Sequence, residues 1–129
     1  MTPSARTKHL LTSQNWTVGT VQRFVPQAKR FFDLYGFIDL CCIHKIHGFL
    51  AVQVTGGNNG SARIKKIINN ASAYLWLQAG GKIEVHDWRY LKKLKKWDVA
   101  INKIEKNDFP EKIRKGEYID EQFIKNKKK

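Results

Sequence analysis

Residues 36–55 read G-F-I-D-L-C-C-I-H-K-I-H-G-F-L-A-V-Q-V-T. Two apolar segments, residues 37–43 and 49–54, flank a short polar link at residues 44–48. Each has the length of a strand and is rich in Ile, Val, Phe and Cys, and each is too short for a buried helix. Their near-continuous apolarity says that both faces of the strands are covered. Three polar side chains interrupt them: Asp39, Gln53 and Thr55.

A hairpin centred on Ile46 would set Asp39 opposite Gln53 and Phe37 opposite Thr55. Directly opposed side chains have Cβ atoms roughly 4.5–5.5 Å apart. Alternation along each strand puts Asp39, Gln53 and Thr55 on one face, and a slip of one residue would undo the arrangement. In this register a carboxylate and an amide lie side by side in apolar surroundings, where an unpaired ion is costly. Either a bound cation or a structural hydrogen bond between Asp39 and Gln53 meets that cost.

The chain's 129 residues suit one ordinary domain, and 42% apolar content is enough for a packed core. No apolar run reaches membrane-span length, and the first residues lack the pattern of a secretory signal. Cys41 and Cys42 are adjacent on an expected strand and point to opposite faces. They read as buried thiols, which excludes a disulfide scaffold or a zinc cluster and makes a reducing cytoplasm the expected compartment. Charge is the strongest global feature: 24 Lys and Arg against 11 Asp and Glu, a net of +13. That excess favours a polyanion through counterion release, nucleic acid before an anionic membrane surface.

Along the chain, Thr2 and Pro3 open a short helix that Asn15 ends. Residues 16–24 read as a strand ended by Pro26, and residues 27–35 as a basic-aromatic connector, either a loop or an irregular strand. Ser61 caps a helix over residues 62–79, with Ile64, Ile67, Ile68, Ala71 and Leu75 as its buried stripe, stopped by Gly80 and Gly81. Residues 82–88 alternate as a strand, with Ile83 and Val85 on one side and Glu84, His86 and Trp88 on the other. A second amphipathic helix is expected over residues 91–105, with Leu94, Trp97, Ile101 and Ile104 inward. The compact domain is expected to span residues 1–110. Residues 111–129 form a basic, partly disordered extension with a short element around residues 118–124. The fold class is α/β, a mixed sheet with helices on both sides.

This order resembles the core of the restriction-endonuclease-like nucleases, the PD-(D/E)XK superfamily, and within it the small phage- and archaeal-type Holliday-junction-resolvase-like members. The matching stretches are F-F-D-L-Y-G-F-I-D-L (31–40), A-V-Q-V-T (51–55), S-A-R-I-K-K-I (61–67), W-L-Q-A-G (76–80) and I-E-V-H-D-W (83–88). The resemblance implies an α-β-β-β-α-β core and a metal-dependent DNA endonuclease, with branched DNA as a substrate and a homodimer as the working form. It implies Mg²⁺ or Mn²⁺ held by Asp39, the residue at position 53 and the Val54 carbonyl, weakly unless substrate phosphates complete the shell. Gln53 stands where relatives carry an acid and Thr55 where they carry a lysine; Gln22 stands near a position where relatives often carry Glu. An amide oxygen brings no charge, and a threonine hydroxyl can place a water but supplies no cation.

The expected catalytic set is thus Asp39, Gln53, Thr55 and Lys66, with Asp33 as a candidate second acid from the preceding connector. Lys66 on the following helix either replaces the absent lysine or, with Arg63 and Lys65, forms the solvated side of that helix. Arg23, Lys29, Arg30, Arg63 and Lys66 are the expected phosphate holders. The alternative is a nuclease-like fold with reduced catalysis that serves as a nucleic-acid-binding or regulatory module. His44, His47 and His86 lack a third ligand at zinc spacing and read as exposed polar residues. Trp88, Tyr90 and Trp97 read as base-stacking or, more ordinarily, core side chains.

Overall fold

Thr2 caps the first helix, α1 (Pro3–Ser13), through a hydroxyl that accepts from the Ala5 N–H at 3.1 Å, with Pro3 in the first turn. The structure is a computed structural model and describes residues 1–116. Asn15, at φ 70°, ends α1, and the chain enters β1 (Thr17–Thr20). The single strand expected over residues 16–24 divides here. Val21 donates its N–H to the Asp39 carbonyl, the chain turns off the sheet, and β2 (Arg23–Val25) begins. β2 pairs with β3 (Arg30–Phe32) in a separate two-stranded sheet, so the connector of residues 27–35 is largely the turn and second arm of a hairpin.

The expected central hairpin follows as β4 (Leu40–His44) and β5 (Gly48–Gly56), antiparallel, with Leu40 opposite Val52 and Ile43 opposite Phe49. That register is the one centred on Ile46. Asp39 precedes β4 by one residue, and its N–H bonds to the Val52 carbonyl at 3.0 Å.

The long helix expected over residues 62–79 is two helices, α2 (Gly60–Ile68) and α3 (Ala71–Gln78). Asn70 is the cause. Its backbone is extended, its side-chain oxygen accepts from the Ser72 and Ala73 N–H groups at 2.8 and 3.3 Å, and its Nδ2 donates to the Tyr35 carbonyl at 3.0 Å. An Asn that caps a new helix competes with continuing the old one. The break rotates the second half so that Ala71, Ala73 and Leu77 face inward and Leu75, expected in the buried stripe, is 57% exposed. Asn70→Ala is expected to lower stability by about 1–2 kcal/mol through the lost cap. It should appear as a lower urea midpoint at unchanged slope; an unchanged midpoint would show that the cap contributes nothing.

β6 (Lys82–Leu91) runs parallel to β5, and β7 (Lys96–Ile104) runs antiparallel to β6. β7 replaces the helix expected over residues 91–105. Leu94, Trp97 and Ile101 are exposed at 63%, 43% and 43%, and of the four residues expected inward only Ile104 is buried. The spacing of those four fits a helix, but Trp97, Val99 and Ile101 also alternate, and β6 offered a partner strand. A 3-10 turn (Lys106–Asp108) and a one-turn helix, α4 (Glu111–Arg114), follow. Ile113 enters the core, so packing continues past residue 110. Most of the basic extension, including the element expected around residues 118–124, lies outside the described residues.

The main sheet has the order β1-β4-β5-β6-β7. On one face Leu11 of α1 packs with Leu40, Cys42, Leu50 and Val52; on the other, Ile67, Ala73 and Leu77 of α2 and α3 pack with Ala51, Ile83 and Val85. The architecture is therefore mixed α/β, with a five-stranded mixed sheet and helices on both sides. Cys41 and Cys42 are free thiols, and burial, then the neighbouring Cys41 and Glu84, push the Cys42 thiol up to about 12. Among the described residues no helix is long and apolar enough to cross a membrane.

Candidate functional site: a carboxylate pair clamped by two amides

Asp39 is held in place by its backbone. Its N–H bonds to Val52 and its carbonyl accepts from Val21 at 3.1 Å, so the side chain is fixed between the end of β1 and β5. The residue is 5% exposed. Oδ2 accepts from the Val54 N–H at 2.8 Å and from Gln53 Nε2 at 2.9 Å, and Oδ1 accepts from Gln22 Nε2 at 3.3 Å. Asp33, at the foot of the β2–β3 hairpin, accepts from the same two amides: Oδ1 from Gln22 at 3.0 Å and Oδ2 from Gln53 at 3.2 Å. Each amide NH₂ carries two hydrogens and gives one to each acid. Gln22 and Gln53 thus clamp Asp33 and Asp39 together.

Two acids this close do not ionise independently. Burial, a hydrogen bond with Asp33 and the charge of Asp33 push the Asp39 carboxyl up to about 7, against the opposing pull of the Val54 N–H and the Gln53 amide. Burial raises Asp33 too. There the hydrogen bonds with Asp39, Gln22 and Gln53, with the nearby Lys66 ammonium, outweigh it and hold Asp33 below the ordinary carboxylate value. Below about pH 7 the pair shares one proton, which burial and the Asp33 charge favour on Asp39.

This has a measurable consequence. Asp39 is protonated in the fold and ionised in the unfolded chain between about pH 4 and 7. The folded state binds more protons there, so this contribution is complete below the unfolded value and is lost as pH rises through about 7. Asp33 acts oppositely at the acid end, its contribution being lost as pH falls through its lowered folded value. Without divalent cations, the fold is expected to lose on the order of 2 kcal/mol more between pH 5 and 8 than Asp39→Asn does, after allowance for solvent screening. Parallel pH profiles from urea unfolding would contradict the shared proton.

Two buried oxygens on the same sheet face, Gln53 Oε1 and Asp87 Oδ1, have no hydrogen-bond partner among the described residues. Asp87 lies opposite Thr55 in the β5–β6 register, and its Oδ2 accepts from the Gly60 N–H at 3.0 Å, tying the start of α2 to β6. A Cβ on residue 60 would stand 3.0 Å from that oxygen, which is why glycine occupies the position. A buried acceptor without a partner costs about 1–3 kcal/mol unless a ligand or water meets it.

No family model matches this chain, and no curated protein or solved structure is significantly similar to it.

Of the expected site residues, Asp39 and Gln53 are in direct contact, and Val54 meets Asp39 through its N–H. Thr55 is buried one strand away from Asp87. Lys66 is exposed on α2, close enough for its charge to act on Asp33, and Arg63 is half-buried on the same helix. Arg23, Lys29 and Arg30 belong to the β2–β3 hairpin, whose two ends, Gln22 and Asp33, are part of the clamp. Among the described residues no group of three His, Cys, Asp or Glu side chains is arranged for a metal. The oxygens nearest to such a set are the two carboxylates, hard donors of the kind Mg²⁺ takes; Gln53 turns its Nε2 toward them, so its unpartnered Oε1 would join them only if the amide turned over.

The place of Asp87 beside Thr55 was not legible in the sequence, because the β5–β6 register depends on a crossover of two helices. His86 corrects an expectation. It is fully buried on the α1 face, with Nδ1 3.2 Å from Thr7 Oγ1 and Nε2 2.8 Å from Glu84 Oε1, because β7 makes β6 an interior strand. Trp88 joins it, donating to Thr7 Oγ1 at 2.8 Å, and is a core side chain. His44 is half-buried, and its Nδ1 accepts from the Ile46 and His47 N–H groups, closing the hairpin turn.

Proposed function

We propose that this protein is a metal-dependent endonuclease that hydrolyses DNA phosphodiester bonds, of the restriction-endonuclease-like kind. The observation that carries this reading is the Asp33–Asp39 pair, two acids held in contact although one must stay protonated. Such an arrangement is a stored demand for positive charge. Asp33 and Asp39 would hold Mg²⁺ or Mn²⁺, and Gln53 would add its Oε1 by turning over the amide that now donates to both acids. When bound, the cation activates water and neutralises charge on the scissile phosphate.

The chain's own residues do the rest. Asp39 would release its proton on holding a cation, so cation affinity would rise with pH up to about 7. Asp33 supplies the second acid that position 53 lacks. Lys66 supplies the cation that Thr55 cannot, and with Arg63 it receives the substrate phosphate beside the clamp. The element order supports the family reading: a helix, three antiparallel strands of the main sheet, then a helical crossover to a parallel fourth. Cutting both strands of a branched DNA would take a two-fold dimer.

A second reading has its own observation. The Gln53 amide already satisfies both acids without a metal, as suits a nuclease-like module that binds nucleic acid and does not cut it. One assay separates the two. Purified protein is incubated with supercoiled, linear and four-way-junction DNA, with Mg²⁺ or Mn²⁺, beside Asp39→Asn. Metal-dependent cleavage that the variant loses supports the enzyme; binding without cleavage supports the module. Neither binding nor cleavage ends both readings.

A further inference from the structure

Ten residues separate the two ends of the β2–β3 hairpin, and they are out of character with the rest of the fold. Phe24, Phe31 and Phe32 are exposed at 50%, 59% and 38%. Phe24 and Phe31 are cross-strand partners with ring centroids 5.0 Å apart, so they form one aromatic face. Arg23, Lys29 and Arg30 accompany them, and no acid lies between Gln22 and Phe32. The Arg30 guanidinium sits 4.4 Å over the Phe32 ring. Among the described residues the hairpin pairs only with itself, and a lone two-stranded hairpin is marginal in water. Exposed rings on such an arm are a cost to the free protein and an asset only against a partner.

We infer that the β2–β3 hairpin is a base-stacking arm that takes unpaired nucleotides of a DNA strand running to the Asp33–Asp39 pair. Two features select nucleic acid over a protein or lipid partner. Cations and aromatic rings interleave with no acid among them, the pattern that holds phosphates while bases stack. Both ends of the arm are also in the clamp, through Gln22 and Asp33. At about 3.3 Å per residue, Phe24 and Phe31 stand roughly 7 Å out from those ends, within a nucleotide or two of the carboxylates. Unpaired bases are required because rings in a duplex are already stacked on each other. The inference rests on the nuclease reading for the place of the strand, and names the substrate as DNA with a single-stranded stretch at the cut. Its binding chemistry needs neither metal nor cleavage.

The test is fluorescence anisotropy in EDTA, with the full chain and a labelled oligodeoxythymidine, a blunt duplex of equal length and the matching RNA strand. The wild type is expected to bind the single DNA strand at least tenfold tighter than the duplex. The paired substitution Phe24→Ala with Phe31→Ala should weaken single-strand binding about tenfold or more at unchanged salt dependence. Phe24→Tyr with Phe31→Tyr keeps the rings and should restore it, which separates stacking from misfolding. Arg23→Gln with Arg30→Gln should lower the salt slope by about one to one and a half. The inference is overturned by equal binding of strand and duplex, by an unaffected aromatic variant, or by tighter binding of RNA. It is overturned equally if the hairpin proves to join two copies of the chain without DNA. Cleavage that fails while single-strand binding persists counts against the nuclease reading alone.

Discussion

Gln53→Glu is expected to make the stability of this protein depend on a divalent cation. The Gln53 Nε2 lies 3.2 Å from one carboxylate and 2.9 Å from the other, and it is the shared donor that lets them coexist. A glutamate there removes that donor and adds a third acid to a pair that already retains a proton up to about pH 7. An uncompensated buried charge costs on the order of 3–5 kcal/mol, a large part of the 5–15 kcal/mol typical of a small domain. At pH 8 in EDTA the variant should unfold at a much lower urea concentration than the wild type. Millimolar Mg²⁺ or Mn²⁺ should recover most of the loss, and so should lowering the pH to 5, where protons take the place of the metal. If EDTA and Mg²⁺ give the variant the same midpoint at pH 8, the pair is not a cation site.

Asp39→Asn is expected to reduce metal-dependent cleavage about a thousandfold. Asparagine keeps the shape of the side chain and an acceptor for the Val54 N–H, but not the charge. Charge stabilisation by a bound cation is worth several kcal/mol in the transition state, and each 1.36 kcal/mol is tenfold in rate. The same variant should be no less stable than the wild type at pH 8, because it no longer forces two acids together. Lost activity with an intact fold would therefore point to chemistry. Cleavage within threefold of the wild type would remove Asp39 from the mechanism.

The hairpin register centred on Ile46 set Asp39 opposite Gln53, and the structure puts them in direct contact. It assigned Asp33 no fixed place, since nothing local says that the end of one hairpin returns to the foot of another strand. Nothing adjacent to Gln22 in the sequence marked it as the second half of a clamp.

What the sequence determined by itself is what neighbours along the chain decide. Thr2 and Pro3 start a helix, Asn15 ends one, and the polar link around Ile46 sets the register that brings Asp39 to Gln53. Tertiary structure decided the rest. Residues 96–104 satisfied two periods at once and became a strand because β6 had a free edge. Asn70 became a cap because a second helix had room to turn against the sheet. His86 and Asp87 became interior because of which strands lay on either side of β6. Period and capping are properties of a few adjacent residues, whereas a strand edge, a crossover register and a shared proton exist only once distant segments have met.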